Sequence, residues 1–274
     1  MVRVSSLRMR QAALAVFAVG LLSIPAAAIA QRGEEPALDV PFVPTPTEVV
    51  ERMLQMVDVG PGDFVIDLGS GDGRIAIAAA KKGARALGVD IDPQRVREAQ
   101  ENARKSGVGD KVAFRREDLF DTRIGDATVL TMYLLPDVNM RLRPRILDEL
   151  KPGTRVVSHA FDLADWKADR YAQVGHRQIF MWVVPAKVAG RWHLQFGTES
   201  LTLVLEQRHQ GIEGIAEIGG KTVQISGGAL SGLEIQFALS DGRKFHGRVS
   251  GDRMESQPAS AGATPTKWHA SRTP

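Results

Sequence analysis

In TEVVERMLQMVDV the apolar residues Val49, Val50, Met53, Leu54 and Val57 recur at helical spacing, which predicts an amphipathic helix packed on a core. Beyond it the period switches back and forth. FVIDLG, ARALGVDID, KVAFRRED, ATVLTMYLL and TRVVSHAF read as strands, while GRIAIAAAKKG, PQRVREAQENARKSG and MRLRPRILDELKPG read as helices. Strands alternating with helices of this length predict right-handed βαβ units and a mostly parallel sheet, an α/β fold. Pro93 falls at a helix start, and Gly83, Gly107 and Gly153 fall just past helix ends, where each is least costly.

Near Pro185 the pattern changes to short alternating runs: RWHLQF, LTLVLEQ, IEGIAEI, TVQIS, LEIQFAL and KFHGRVS. They are split by Gly219-Gly220, Gly227-Gly228 and Asp241-Gly242. Such dipeptides supply the positive φ that tight hairpin turns need, so a small antiparallel meander or barrel is expected at the C-terminus. A loop rich in Ala, Ser, Pro and Thr, residues 256–266, then precedes a short segment around Trp268. The divisions predicted are residues 1–30, 31–185 and 186–274.

The first thirty residues change the picture of where the chain works. Arg3, Arg8 and Arg10 precede an apolar run from Ala12 to about Ile24, followed by Pro25 and the small-residue end Ala28-Ile29-Ala30. That is the layout of a secretory signal peptide cleaved before Gln31, which predicts an exported, periplasmic protein. The alternative is an uncleaved anchor, with membrane association through residues 12–30. The formal charge of +3 lies wholly in this leader: removing its three arginines from 35 basic residues leaves 32, against 32 acidic ones. The balanced remainder has no bulk electrostatic footprint for nucleic acid. With no cysteine, disulfides, thiolate metal sites and cysteine nucleophiles are all excluded.

The chemistry centres on VIDLGSGDGR, a strand running into a glycine-rich turn and then a helix, which gathers backbone N–H groups at a helix start. A dinucleotide fingerprint wants a third glycine where Arg74 stands, and a P-loop wants Lys followed by Ser or Thr. Asp67, at the strand end, repels a pyrophosphate and attracts an ammonium, favouring a cationic ligand without phosphates such as S-adenosylmethionine. Its alternative role is to cap its own turn. Asp90 ends the next strand, where a carboxylate accepts from two ribose hydroxyls, and Asp92 before Pro93 caps the following helix. Asp118 ends the third strand, within reach of an adenine amino group or as a plain turn residue. Three acids at successive strand ends face one crevice, where open α/β sheets bind ligands.

VIDLGSGDGR, GVDID and REDLF resemble the successive cofactor motifs of class I S-adenosylmethionine-dependent methyltransferases. With PFVPTP, LTMYLLP, LRPRILDELKPGTRVVSH and DW, the chain resembles the protein-lysine methyltransferase family of the mitochondrial ATP synthase c-subunit and adenine nucleotide translocase, with its bacterial relatives. The resemblance covers roughly residues 41–166. It implies a Rossmann-like, seven-stranded methyltransferase fold and cofactor contacts at Thr45, Asp67, Gly69, Ser70, Gly71, Asp90 and Asp118. It also implies a protein lysine as methyl acceptor. Two alternatives stand beside it: a small-molecule or lipid acceptor of the envelope, and a non-catalytic cofactor-binding module whose β domain docks a partner. Where relatives that methylate amines carry an Asn/Asp-Pro-Pro-Tyr-like segment, this chain has Tyr133-Leu134-Leu135-Pro136, which lacks the leading amide or acid. Tyr133 and Pro136 are the candidate catalytic pair, Tyr133 offering a ring face to a cationic amine or standing as a core aromatic.

Other groups fit plainer roles. His159 is a proton acceptor or a structural histidine at the fifth strand end. Asp162, Asp165 and Asp169 read as a solvated acidic loop and not a metal site. His193, His209 and His246 follow no ligand spacing, and Trp192 reads as filling for the small β domain.

Overall fold

A computed structural model describes residues 42–258 and 267–273; the expected leader, its cleavage point and the alternative anchor at residues 12–30 lie outside them. Helix α1 (Thr47–Met56) is followed by β1 (Phe64–Leu68), α2 (Arg74–Lys81), β2 (Arg85–Asp90), α3 (Pro93–Lys105), β3 (Val112–Arg116), β4 (Val129–Met132), α4 (Pro136–Glu149) and β5 (Arg155–His159). Two further strands, β6 (Arg170–Val174) and β7 (Arg177–Val183), complete a seven-stranded sheet in the order β3-β2-β1-β4-β5-β7-β6. The first five strands run parallel, and β7 enters antiparallel between β5 and β6. This is the Rossmann-like sheet expected from the sequence, with two strands that the hydrophobic pattern did not announce.

The central strands are buried on both faces, as parallel strands must be when helices cover both sides. Val65, Val129 and Val157 pack toward α1, α2 and α3, while Ile66, Leu130 and Val156 pack toward α4. The strand order reverses between β1 and β4, so the carboxyl ends of these strands open a crevice.

Residues 190–256 and 268–272 form a closed eight-stranded barrel: β8 (Gly190–Phe196), β9 (Glu199–Arg208), β10 (Gly211–Ile218), β11 (Lys221–Ser231), β12 (Glu234–Leu239), β13 (Lys244–Ser250), β14 (Arg253–Ser256) and β15 (Trp268–Arg272). Closure through the β15–β8 pair removes the free sheet edges that would invite aggregation. Trp192, Leu203, Phe237, Phe245, Met254 and Trp268 fill the interior, so the barrel is a packed core. Gly219-Gly220 makes a two-residue turn, both residues at positive φ. Gly227-Gly228 does not end a strand; it is a bulge inside β11, whose partner registers shift there. Val184 packs with the sheet's core and Ala186 with the barrel's.

Among the described residues no helix is long and apolar enough to cross a membrane.

Candidate active site

The turn after β1 is forced by its glycines. Gly69, Gly71 and Gly73 have φ of 70°, 53° and 82°, a region that side chains with a Cβ enter at a cost. A Cβ on Gly71 would come within 2.3 Å of the Phe42 ring, and one on Gly73 within 2.9 Å of Ala99. Gly73 thereby allows the close packing that a dinucleotide fingerprint obtains from its third glycine, one position earlier in sequence.

Asp90 fixes the turn from the neighbouring strand end. Its carboxylate accepts the Gly71 N–H at 2.8 Å and the Asp92 N–H at 2.9 Å. Asp92 in turn caps α3, accepting from Gln94 N–H at 2.7 Å. Asp118 accepts the Phe120 N–H on one oxygen at 2.8 Å, and its main-chain carbonyl receives the amides of Asp121 and Thr122. A carboxylate oxygen has two lone pairs, so both acids retain acceptor capacity toward a ligand.

These groups surround a cavity of ≈ 200 Å³, several times the ~30 Å³ that one water occupies. Thr45, Gly69, Ser70, Asp90, Asp118 and Tyr133 all line it, together with Phe42, Arg74, Arg95, Leu134, Leu135 and Phe161. Of the charged side chains in the wall, Asp72, Asp90, Asp92, Glu117 and Asp118 outnumber Arg74 and Arg95. Both arginines are committed. Arg74 forks onto Asp72 at 2.5 and 2.9 Å and donates to the Thr45 carbonyl at 2.8 Å, tying the segment before α1 to the glycine turn. Arg95 lies 4.5 Å over the Phe42 ring and pairs with Glu98. Sequence reasoning missed Phe42, Arg74, Arg95 and Phe161, since each acts through a distant segment; PFVPTP was the one available signal.

Asp67 and Pro136 stand elsewhere. The Asp67 side chain is 1 % exposed and does not line the cavity. It accepts the Thr131 hydroxyl across the β1–β4 pair at 2.6 Å, and the Ala76 amide in α2 favours its charge. It therefore ties β1 to β4, and its buried Oδ2 has no hydrogen-bond partner among the described residues. Burial pushes its carboxyl up to about 7, with Asp90 and Asp72 adding repulsion and Thr131 opposing. Pro136 is exposed, starting α4 where its missing N–H costs nothing, and the preceding Leu134 and Leu135 form the wall instead. Gly71 acts from behind the wall, through its bond to Asp90.

His159 is buried, with Nδ1 3.1 Å from the Thr45 hydroxyl and its ring 4.0 Å from that of Tyr133. Burial first, and Arg177 second, push its pKa down to about 4, so at neutral pH it is an uncharged support for Tyr133. Asp162 accepts from Ala164 N–H, Asp169 from Val183 N–H, and Asp165 pairs with Arg143 and Arg208. Among the described residues no cluster of His, Asp or Glu is arranged to hold a metal ion.

The site fits S-adenosylmethionine on its own chemistry. An acid-rich wall suits a cation, a glycine turn admits close approach, and the buried Ser70 hydroxyl has no partner among the described residues. A family model described as the ANTKMT methyltransferase domain matches residues 67–170. A protein-lysine N-methyltransferase of Saccharolobus islandicus is 47% identical over 137 residues, which cover 49% of this chain and 85% of that one. The mouse adenine nucleotide translocase lysine N-methyltransferase is 37% identical over 131 residues, and the chain spans 57% of its length. A crystal structure of an RNA methyltransferase from Salinibacter ruber with S-adenosyl-L-homocysteine is 49% identical, with a TM-score of 0.52 over 53% of this chain and 96% of that one. The chain belongs to the ANTKMT methyltransferase family and is an S-adenosylmethionine-dependent methyltransferase.

Proposed function

We propose that the chain N-methylates lysine side chains of protein, and that it does so after export. The observation that carries the lysine reading is the aromatic wall at the Tyr133 end of the cavity. Tyr133 and Phe161 rings lie 6.5 Å apart, stacked, with neutral His159 behind Tyr133. Bound S-adenosylmethionine supplies an electrophilic methyl group on a sulfonium. The chain's part is to bring an uncharged amine into line and exclude water. Leu134, Leu135 and Phe161 give the apolar surroundings that lower an amine's pKa, and Tyr133 presents a ring face to the cation that results.

The lysine N-methyltransferases of Saccharolobus islandicus and mouse support this acceptor class. The Salinibacter ruber relative acts on RNA, but here basic and acidic residues balance outside the leader. The export reading rests on the three arginines, apolar run and Ala28-Ile29-Ala30 end of the first thirty residues.

Tyr133→Ala is expected to lower methyl transfer from labelled S-adenosylmethionine into total protein by about a hundredfold, the loss of an oriented near-attack geometry. Affinity for S-adenosylhomocysteine should change by about threefold at most, because ring contact with the amine is absent from that complex. Label that survives protease but disappears with ribonuclease would turn the assignment to RNA.

A further inference from the structure

Phe161, which lines the cavity, sits in the segment joining β5 to β6, and this segment is held in an unfavourable shape. Ala160 and Ala164 have φ of 67° and 55°, the left-handed region that a Cβ disfavours. Such conformations persist only where the surroundings over-determine them. From the sheet side, the Ser158 hydroxyl donates to the Phe161 carbonyl at 2.6 Å, and Asn139 of α4 reaches the carbonyls of Phe161 and Asp162. Arg143 of α4 donates to the Leu163 carbonyl at 3.1 Å and pairs with Asp165.

The other half of the grip comes from the barrel. The β9–β10 hairpin turns through only two residues, His209 and Gln210, between the paired Arg208 and Gly211. Arg208 bonds Asp165 at 3.0 Å, and Gln210 donates to the Lys167 carbonyl at 2.7 Å. The His209 ring stacks on Trp166 with centroids 5.8 Å apart and planes at 19°. Trp166 itself is fully buried, and its carbonyl accepts from Trp182 Nε1 at 2.8 Å. His209 has φ of 53°, at a turn position where glycine is preferred. A histidine strained at the tip of a tight turn and laid flat on a buried tryptophan points to a contact that matters beyond the turn.

The relatives sharpen this. The matched regions take in 85% and 96% of the Saccharolobus islandicus and Salinibacter ruber chains, leaving neither with room outside them for an eight-stranded barrel. In this chain the barrel's tip clamps three consecutive residues, Asp165, Trp166 and Lys167, of the segment that begins with Phe161.

We infer that the β9–β10 hairpin is a positioning element for methyl transfer: it fixes the 161–168 segment and so sets Phe161 against the amine. Arg208, His209 and Gln210 act through that segment and not by touching substrate. The inference rests on the Tyr133–Phe161 wall being the amine site, as proposed above.

Two ligands test it on the full chain without any protein acceptor. S-adenosylhomocysteine fills the cofactor site only, whereas sinefungin carries an amine where the transferable methyl group stands. In Arg208→Ala/Gln210→Ala, calorimetry should show S-adenosylhomocysteine affinity held within about twofold. Sinefungin affinity should fall about fivefold, the equivalent of one cation–π contact. Arg208→Lys, which keeps the charge, should restore most of the difference. His209→Gly keeps the left-handed turn without strain but removes the ring from Trp166, so it should lose sinefungin discrimination, which a purely structural turn residue would not. If the double variant fails to fold, Asp165→Asn probes the same clamp from the other side and is read in the same way. Equal behaviour of both ligands in these variants, whether unchanged or weakened together, overturns the inference and leaves the lysine reading intact. A wild-type chain with no preference for sinefungin's amine would instead count against the amine site.

Discussion

Asp67→Asn is expected to stabilise the ligand-free chain by about 4 kcal/mol at pH 8 and by almost nothing at pH 4. The Asp67 carboxyl is raised from 3.8 to about 7, chiefly by burial, so the native state holds a proton that the unfolded chain releases. Its contribution is therefore fully present below pH 4 and is lost as the pH rises through 7. About three pH units at about 1.4 kcal/mol each give the expected magnitude. The amide resembles the protonated acid in shape and still accepts from Thr131, so the variant escapes the penalty at high pH. His159 works in the opposite direction. Its pKa is lowered from 6.5 to about 4, so its contribution is present above pH 6.5 and is lost as the pH falls toward 4. The two slopes oppose each other in the wild type, and only the difference between variant and wild type isolates Asp67. Urea unfolding at pH 4, 6 and 8 makes the comparison, and a difference that does not grow with pH contradicts the assignment.

Asp90→Ala carries the largest expected effect on binding. One carboxylate receives the Gly71 and Asp92 amides, so its loss leaves two N–H groups without their acceptor and frees the turn that lines the cavity. The same oxygens are the acceptors available to a ribose diol. Charge-assisted hydrogen bonds at about 1.5–3 kcal/mol each predict a loss of S-adenosylhomocysteine affinity of at least a hundredfold. Asp90→Asn keeps one acceptor oxygen and should lose about tenfold. Titration calorimetry distinguishes these outcomes; a variant that binds within threefold of wild type would mean that Asp90 holds the turn without meeting the ligand.

The contrast between Asp67 and Asp90 marks how far the sequence could be read. Both are acids at the ends of apolar strands, and pattern alone put both in the cofactor site. The alternation of side chains is legible in sequence, but the residue on which a strand ends is not: Asp67 lies one position inside β1, whereas Asp90 is the last residue of β2. Asp67 pairs with Thr131 and turns inward, whereas Asp90 reaches across to Gly71. The turn, Asp90, Asp118 and Tyr133 were legible because their chemistry is local. Phe42 and Arg95 were not, since their contact spans more than fifty positions.

The same distinction applies to the fold. Strands β1 to β5 announced themselves as apolar runs between helices. Edge strand β6 has one buried residue in five, so it lacks the hydrophobic signal, and the Gly175-His176 turn to β7 is not a common hairpin dipeptide. Two of the barrel's hairpins were visible through Gly219-Gly220 and Asp241-Gly242, whereas Gly227-Gly228 marked a bulge inside β11. Its closure was not, because β14 is four residues long and β15 follows only after the Ala/Ser/Pro/Thr-rich stretch.

The most direct measurement is site-resolved mass spectrometry of envelope proteins from cells with and without the gene, extended to this chain's own first peptide. Lysine side chains carrying one to three added methyl groups, present only with the gene and lost in the Asp90→Ala strain, with a mature chain starting at Gln31, are the predicted result. Lysine methylation identical in all three strains, with the label from S-adenosylmethionine found in RNA or a small molecule, would contradict it.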